Sequence, residues 1–216
     1  MRPDRMLTAA AYIAFSVCYT FFFSSDSSYL GAHLKIAPIL LLAFAAWTGA
    51  AANWRGPLTA ALLFSALGDL LLDLDGLAGD LFVAGLGSFL LAQLSYAWLF
   101  WRNRGADARR WWLVAAYLPV SALLTWQILP GTGEMALPVG GYMLAISAMV
   151  SGAALADRPL MLFAGAFSFA VSDTLLAIDR FLQPVPAAGI LIMGTYYLAQ
   201  GLICAGALRT PPGSRA

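Results

Sequence analysis

Eight apolar stretches occupy most of the chain, at roughly 6–23, 36–52, 57–74, 81–101, 111–129, 137–155, 159–178 and 186–208. A helix needs about 20 mostly apolar residues to cross a hydrocarbon core about 30 Å thick. The connections between the stretches are short and hold Gly, Pro and Asp, so no soluble domain fits between them. Of the 216 residues, 61% are hydrophobic and 11% are charged, against about 25% charged in soluble domains. Mean hydropathy is +0.78. Together these exclude a soluble globular domain, a disordered chain, a collagen-like repeat and a disulfide scaffold. A net charge of +1 gives no nucleic-acid footprint. The first stretch reads as a span, because Phe-Phe-Phe-Ser-Ser-Asp offers no small-x-small cleavage site. Pro119 is expected to be the only proline in mid-span.

Arginine and lysine in the loops set orientation. One side receives Arg2, Arg5, Arg55, Arg102, Arg104, Arg109, Arg110, Arg158, Arg209 and Arg215; the other receives only Lys35 and Arg180. Both termini are therefore expected in the cytoplasm. The opposite face is acidic, with Asp26, Asp73, Asp75, Asp80, Glu134 and Asp179. The location expected is the cell membrane, multi-pass, which in a bacterium is the inner membrane.

The stretches repeat. Ala-Ala-Tyr12, Ser16 and Thr20 recur as Ala-Ala-Tyr117, Ser121 and Thr125, and Gly49 to Pro57 resembles Gly152 to Pro159. Gly68-Asp69-Leu-Leu-Leu resembles Ser172-Asp173-Thr-Leu-Leu, and Ala92-Gln93 resembles Ala199-Gln200. Four matches in order, at nearly half the chain length, predict one transmembrane domain over 1–216. It is an all-α, eight-span bundle of two parallel four-helix repeats, about 1–105 and 106–216, related by an axis along the membrane normal. Asp69 and Asp173 then lie at similar depth, well inside the core. They are expected to face a shared cavity.

These two aspartates are the main chemical signal. A carboxylate in a span is expensive and faces a bundle interior or a wet cavity. Ser65, Asp69 and Asp73 share one helix face at a spacing of four. Lys35 is the only lysine and begins the second span, where it can pair with Asp69 or Asp73, hold a lipid phosphate, or snorkel to water. Gln93 and Tyr96 share a face of the fourth span, and Tyr196, Tyr197 and Gln200 a face of the eighth. They are candidates for substrate contact or for helix–helix hydrogen bonds. The stripes Tyr12–Ser16–Thr20 and Tyr117–Ser121–Thr125 read as helix contacts. His33 reads as a solvated loop residue. Asp73 to Asp80 reads as an acidic turn, because it lacks the twelfth-position Glu and the oxygen spacing of a calcium loop. Cys18 and Cys204 lie in apolar runs and read as small hydrophobes. With one His, a His/Cys metal site is not expected, and neither is any cofactor.

The ordered set Lys35-Ile-Ala-Pro38, Phe64-Ser-Ala-Leu-Gly68-Asp69, Gly85-Leu-Gly-Ser-Phe89 through Tyr96, Gly165 through Asp173 and Tyr196-Tyr-Leu-Ala-Gln200 resembles the YhhN-like lysoplasmalogenase family. It extends over most of the chain. One position departs: the family commonly has a His where this chain has Gln93, which cannot titrate. The resemblance implies hydrolysis of the vinyl-ether bond of a lysophospholipid, a lysoplasmalogen, to a fatty aldehyde and a glycerophospho-base. Two nearby carboxyls in a low-dielectric cavity do not readily both ionise, so one keeps a proton and serves as acid beside a carboxylate. Asp69 and Asp173 are then catalytic. Lys35 would meet the phosphate, and Asp73, Gln93, Tyr96, Tyr196, Tyr197 and Gln200 would line the substrate site.

Two other readings use the same residues. Repeats and deep carboxyls also suit a small proton-coupled transporter or a lipid-binding membrane module. Two span carboxyls also suit an intramembrane aspartyl protease, although Ala66 stands where the first Gly of a Gly-x-Gly-Asp motif belongs. Aldehyde release, uptake without product, or peptide cleavage separates the three. The sequence leaves the oligomeric state open.

Overall fold

The structure, a computed structural model, describes residues 3–24 and 28–209. Arg2, Asp26 and Arg215, used above for orientation, lie outside the described residues. Eight α-helices follow one another: α1 Pro3–Phe22, α2 Tyr29–Gly49, α3 Ala52–Ala78, α4 Phe82–Arg102, α5 Trp111–Ile128, α6 Ala136–Leu155, α7 Met161–Phe181 and α8 Ala188–Leu208. Short 3-10 turns, Ala108–Arg110 and Leu129–Met135, flank α5. Among the described residues the only bridge of β type joins Arg104 to Ala156, so the chain is all-helical there.

Six stretches are long and apolar enough to cross a membrane: Tyr29–Gly49, Ala52–Leu77, Phe82–Arg102, Ala108–Leu155, Met161–Phe181 and Ala188–Leu208. The fourth contains both α5 and α6. The apolar part of α1, Met6–Phe22, is shorter. At Gly133 (φ +56°, ψ −125°) the backbone leaves helical geometry between α5 and α6, a conformation that glycine reaches without a Cβ penalty. The two helices then fold back, and Ser121 Oγ meets Ser147 Oγ at 2.8 Å.

Three expectations change at α2. The helix starts at Tyr29 because Ser28 caps it, its side chain accepting the Gly31 N–H at 3.0 Å. Lys35 is therefore not at the mouth of a span but nearly two turns inside a helix. Pro38 sits inside α2 as well as Pro119 inside α5, so Pro119 is not the only mid-helix proline. His33 is exposed as expected, but on α2 and not in a loop.

Polar and apolar residues are distributed as a bilayer demands. Leu137 is 85% exposed and Leu144 is 74% exposed, while Gln93, Gln200 and Ser65 are fully buried. With no water in the hydrocarbon core, polar groups are placed inward and leucines outward.

The chain divides into two compact units, Met1–Ser95 and Tyr96–Ala216. In the first, Ile39, Leu58, Ala61 and Leu62 are buried, and Ser88 Oγ of α4 donates to the Phe64 carbonyl of α3 at 2.7 Å. In the second, α7 and α8 approach closely at small residues. A Cβ on Gly165 would lie 2.7 Å from Ile203 N and 2.9 Å from Ala199 O, and one on Gly206 would lie 2.9 Å from Leu162 N. Such contacts bring membrane helices together by close backbone packing.

Each unit also joins its last two helices with an aspartate. Asp75 Oδ1, near the end of α3, accepts the N–H groups of Leu81 and Phe82 at 2.8 and 3.0 Å. Asp179 Oδ1, near the end of α7, accepts the N–H of Val185 at 2.8 Å. These amides would otherwise be unsatisfied at the approach to a helix. Asp75 thus serves the backbone from the last turns of α3; residues 73–78, expected as part of an acidic turn, are helical, and the turn begins only at Gly79. Between α6 and α7, Arg110 Nη1 donates to the Ala156 and Arg158 carbonyls at 2.8 and 2.9 Å. Burial pushes the Arg158 guanidinium below its usual range, and neighbouring Asp157 opposes that shift.

Candidate active site

In the first unit, α3 carries its polar stripe because Ser65, Asp69 and Asp73 are spaced by four residues. Each step of four turns the side chains back to almost the same face. Asp69 is 2% exposed. Lys35, two turns inside α2, places its ammonium against this stripe. Nζ lies 2.6 Å from Asp73 Oδ1 and 3.8 Å from Asp69 Oδ1. The Tyr19 hydroxyl of α1 donates to Asp73 Oδ2 at 3.2 Å. Three helices therefore converge on two carboxylates through one ammonium and one phenol. Between the pairings left open by the sequence, Lys35 takes both carboxylates. Ser65 Oγ is buried one turn before Asp69 with no hydrogen-bond partner among the described residues. Phe89 of α4 covers Gly68, where an added Cβ would lie 2.5 Å from its ring. A larger residue would therefore displace the ring beside Asp69. Gln93 is fully buried on the same helix.

In the second unit, Asp173 on α7 accepts a hydrogen bond from the Tyr142 hydroxyl of α6. The Tyr96 hydroxyl donates to Gln200 Oε1 at 2.7 Å, and both residues are fully buried. Gln200 Nε2 has no hydrogen-bond partner among the described residues. Tyr196 packs edge-on against Phe169 at 5.5 Å between ring centres and lies beside Tyr197. Asp173 also forms part of the wall of a cavity of about 240 Å³ between α5, α6 and α7.

The structure thus brings Lys35, Asp69 and Asp73 together in one unit, and Tyr96 and Gln200 together in the other. Tyr19 and Tyr142 are partners of site carboxylates that the sequence reading missed. Tyr19 lies one position off the Tyr12–Ser16–Thr20 stripe, and Tyr142 carries no charge to mark it. The helix preceding each aspartate-bearing helix supplies a partner, Lys35 of α2 for Asp69 and Tyr142 of α6 for Asp173, which the sequence matches around the two aspartates could have suggested. The Ser121–Ser147 bond shows that part of the Tyr117–Ser121–Thr125 stripe serves helix contact, as expected.

Chemically, the first cluster sets two carboxylates against one ammonium, so a proton on either carboxyl brings the group to neutrality. Buried charges of this kind are retained only where paired.

Comparison with known proteins places this chain in a family. The YhhN family model matches residues 30–207. Lysoplasmalogenase TMEM86B of Sus scrofa is 32% identical over 203 residues, covering 91% of this chain and 85% of that protein. Lysoplasmalogenase TMEM86B of Homo sapiens is 35% identical over 186 residues, with 85% and 78% covered. Lysoplasmalogenase of Mycobacterium tuberculosis is 40% identical over 179 residues, with 80% and 68% covered. No solved structure matches the chain. With apolar helices long enough to span a bilayer and a family match over most of its length, the chain is a multi-pass membrane protein that belongs to the YhhN family.

Proposed function

We propose that this protein hydrolyses the vinyl-ether bond of lysoplasmalogens, releasing a fatty aldehyde and a glycerophospho-base. The observation that carries the reaction is the similarity, over most of the chain, to proteins named lysoplasmalogenase. What supports the choice of residues is the burial of Asp69 beside Lys35 and the hydrogen bond of Tyr142 to Asp173.

The chemistry assigned to Asp69 and Asp173 is proton transfer. A carboxylic acid gives its proton to the alkenyl carbon one removed from the ether oxygen. The C=C π pair forms the new C–H bond, and the ether carbon becomes an oxocarbenium ion. A carboxylate stabilises that cation and takes a proton from the attacking water. The resulting hemiacetal loses the glyceryl oxygen as an alcohol and leaves the aldehyde. Protons balance, because the one donated is replaced by the one taken from water. In this reading Lys35 places Asp69 and Asp73. Gln93, Tyr96, Tyr196, Tyr197 and Gln200 contact the substrate.

The same reading takes the eight helices as eight spans in two parallel four-helix repeats, with both termini in the cytoplasm. It is supported by the matched aspartate caps, Asp75 and Asp179, and by the arginine bias of the loops. The deciding experiment incubates the purified protein with lysoplasmalogen in detergent and measures free aldehyde. Aldehyde release that depends on protein concentration is expected. Lipid binding without aldehyde overturns the hydrolase reading in favour of a binding or transport module.

A further inference from the structure

The cavity between α5, α6 and α7 differs in character from the Lys35 cluster. Tyr117, Ser121, Met143, Ile146 and Phe167 line it together with Asp173. Its other polar groups are turned to neighbours. Ser121 Oγ meets Ser147 Oγ at 2.8 Å, and Thr174 Oγ1 donates to the Ala170 carbonyl at 2.7 Å. The Tyr117 hydroxyl interacts with the same two serines. A phosphate entering here would be desolvated beside a carboxyl, with no Lys or Arg among the lining residues to replace its water, which is strongly unfavourable. A hydrocarbon chain loses nothing of that kind and gains by burial. Asp173, which accepts the Tyr142 hydroxyl, is the single carboxyl among the lining residues, most of which are apolar.

We infer that this cavity is the subsite for the aliphatic alkenyl chain of the substrate, and that it presents the enol-ether end of that chain to Asp173. This rests on the proposed hydrolysis and adds an assignment to it: Asp173 is the group that protonates the alkenyl carbon. The reacting carbon of an enol ether is electron-rich but carries no formal charge until the proton arrives, so it fits an apolar wall as the charged glycerophosphate portion does not. The head group therefore lies outside this cavity, and the shape of the wall sets which chains are accepted.

The test uses a lysophospholipid with a saturated alkyl ether, which has no vinyl bond to cleave, bearing a photoactivatable diazirine in mid-chain. After irradiation of the full-length protein, labelled residues are located by mass spectrometry. Labelling is expected on α5–α7 at Met143 and Phe167, and lysoplasmalogen should displace the probe where diacyl phosphatidylcholine does not. Labelling spread over lipid-facing residues such as Leu137 and Leu144, or displaced equally by the diacyl lipid, overturns the subsite.

Two substitutions narrow the cavity from different sides. Val120→Trp acts at the rim, where Val120 is 55% exposed and tolerates bulk, and Ala170→Phe acts on the α7 wall. Each should lower kcat/KM for long chains relative to short chains by about tenfold or more, the scale of a misfit by a methylene or two in an apolar pocket. An unchanged ratio in both overturns the proposal. The labelling arm needs no turnover. Confined labelling without aldehyde release from lysoplasmalogen would sink the hydrolase reading and keep the chain site. Aldehyde release with dispersed labelling would do the reverse.

Discussion

Lys35 Nζ stands 2.6 Å from Asp73 Oδ1, a charged contact between α2 and α3 in which both side chains are largely buried. The ammonium also faces Asp69, at 3.8 Å. Removing one partner of such a buried set leaves the others uncompensated, which is more damaging than replacing the whole set with apolar groups.

Lys35→Met should therefore destabilise the protein by about 3 kcal/mol, the scale for breaking a buried ion pair. Adding Asp73→Leu should recover part of the loss. Thermal unfolding in detergent of the wild type, both single variants and the double variant gives the coupling directly. Strict additivity would show that the pair does not interact.

Asp69→Asn and Asp173→Asn keep shape and hydrogen-bonding capacity and remove the acidic carboxyl proton. Each should lower aldehyde release by about 10²-fold, the usual contribution of a positioned acid or base. Folding should persist, since an amide is easier to bury than a charge. The wild-type rate should peak between two pH limbs, because one carboxyl must be protonated and another ionised. Near-full activity in both variants assigns the aspartates to structure alone.

Gly165→Val places methyl groups where a Cβ already lies 2.7 Å from Ile203 N and 2.9 Å from Ala199 O. Backbone atoms cannot swing aside as a side chain does, so α7 and α8 must separate, at about 1–3 kcal/mol. Gly194→Ala meets nothing within 4 Å and serves as the control. A Tm for Gly165→Val equal to that control would contradict the packing described.

Asp75→Ala and Asp179→Ala should each lower stability by about 1 kcal/mol, as expected for a lost cap. Asn at either position, which keeps the accepting oxygen, should be milder. Paired melting curves of the four variants measure both comparisons. A large loss at only one position would argue against equivalent roles in the two halves.

Reporter fusions after Arg104 and after Asp80 should give cytoplasmic and external signals respectively. A cytoplasmic signal from both would sink the proposed orientation and the eight-span reading with it.

Hydropathy located all eight helices, because a run of leucine and alanine is visible without knowing its neighbours. It misplaced the start of α2. The first turns of that helix carry His33 and Lys35, and polarity there resembles a loop until the Ser28 cap is recognised. The sequence left Lys35 open between pairing with Asp69 or Asp73, a lipid phosphate and water, and the contacts at 2.6 and 3.8 Å place it against both aspartates. The aspartates were legible because a carboxylate in an apolar run is conspicuous. Tyr19 and Tyr142 were not, since tyrosine is common in such runs and only the direction of its hydroxyl distinguishes a site residue. The pairing of Tyr96 with Gln200 joins residues 104 positions apart, a register that span boundaries alone do not supply.

All four groups of the first cluster, Tyr19, Lys35, Asp69 and Asp73, fall within the first 73 positions of the chain. Chains are made from the N-terminus, so these groups are polymerised before any of α4–α8. As soon as α3 has been inserted, the ammonium can neutralise its carboxylates without waiting for the second half. Charged groups that would each resist entry into lipid thus have their partners within the part of the chain made first, which ties the placement of the acidic residues to the order of synthesis.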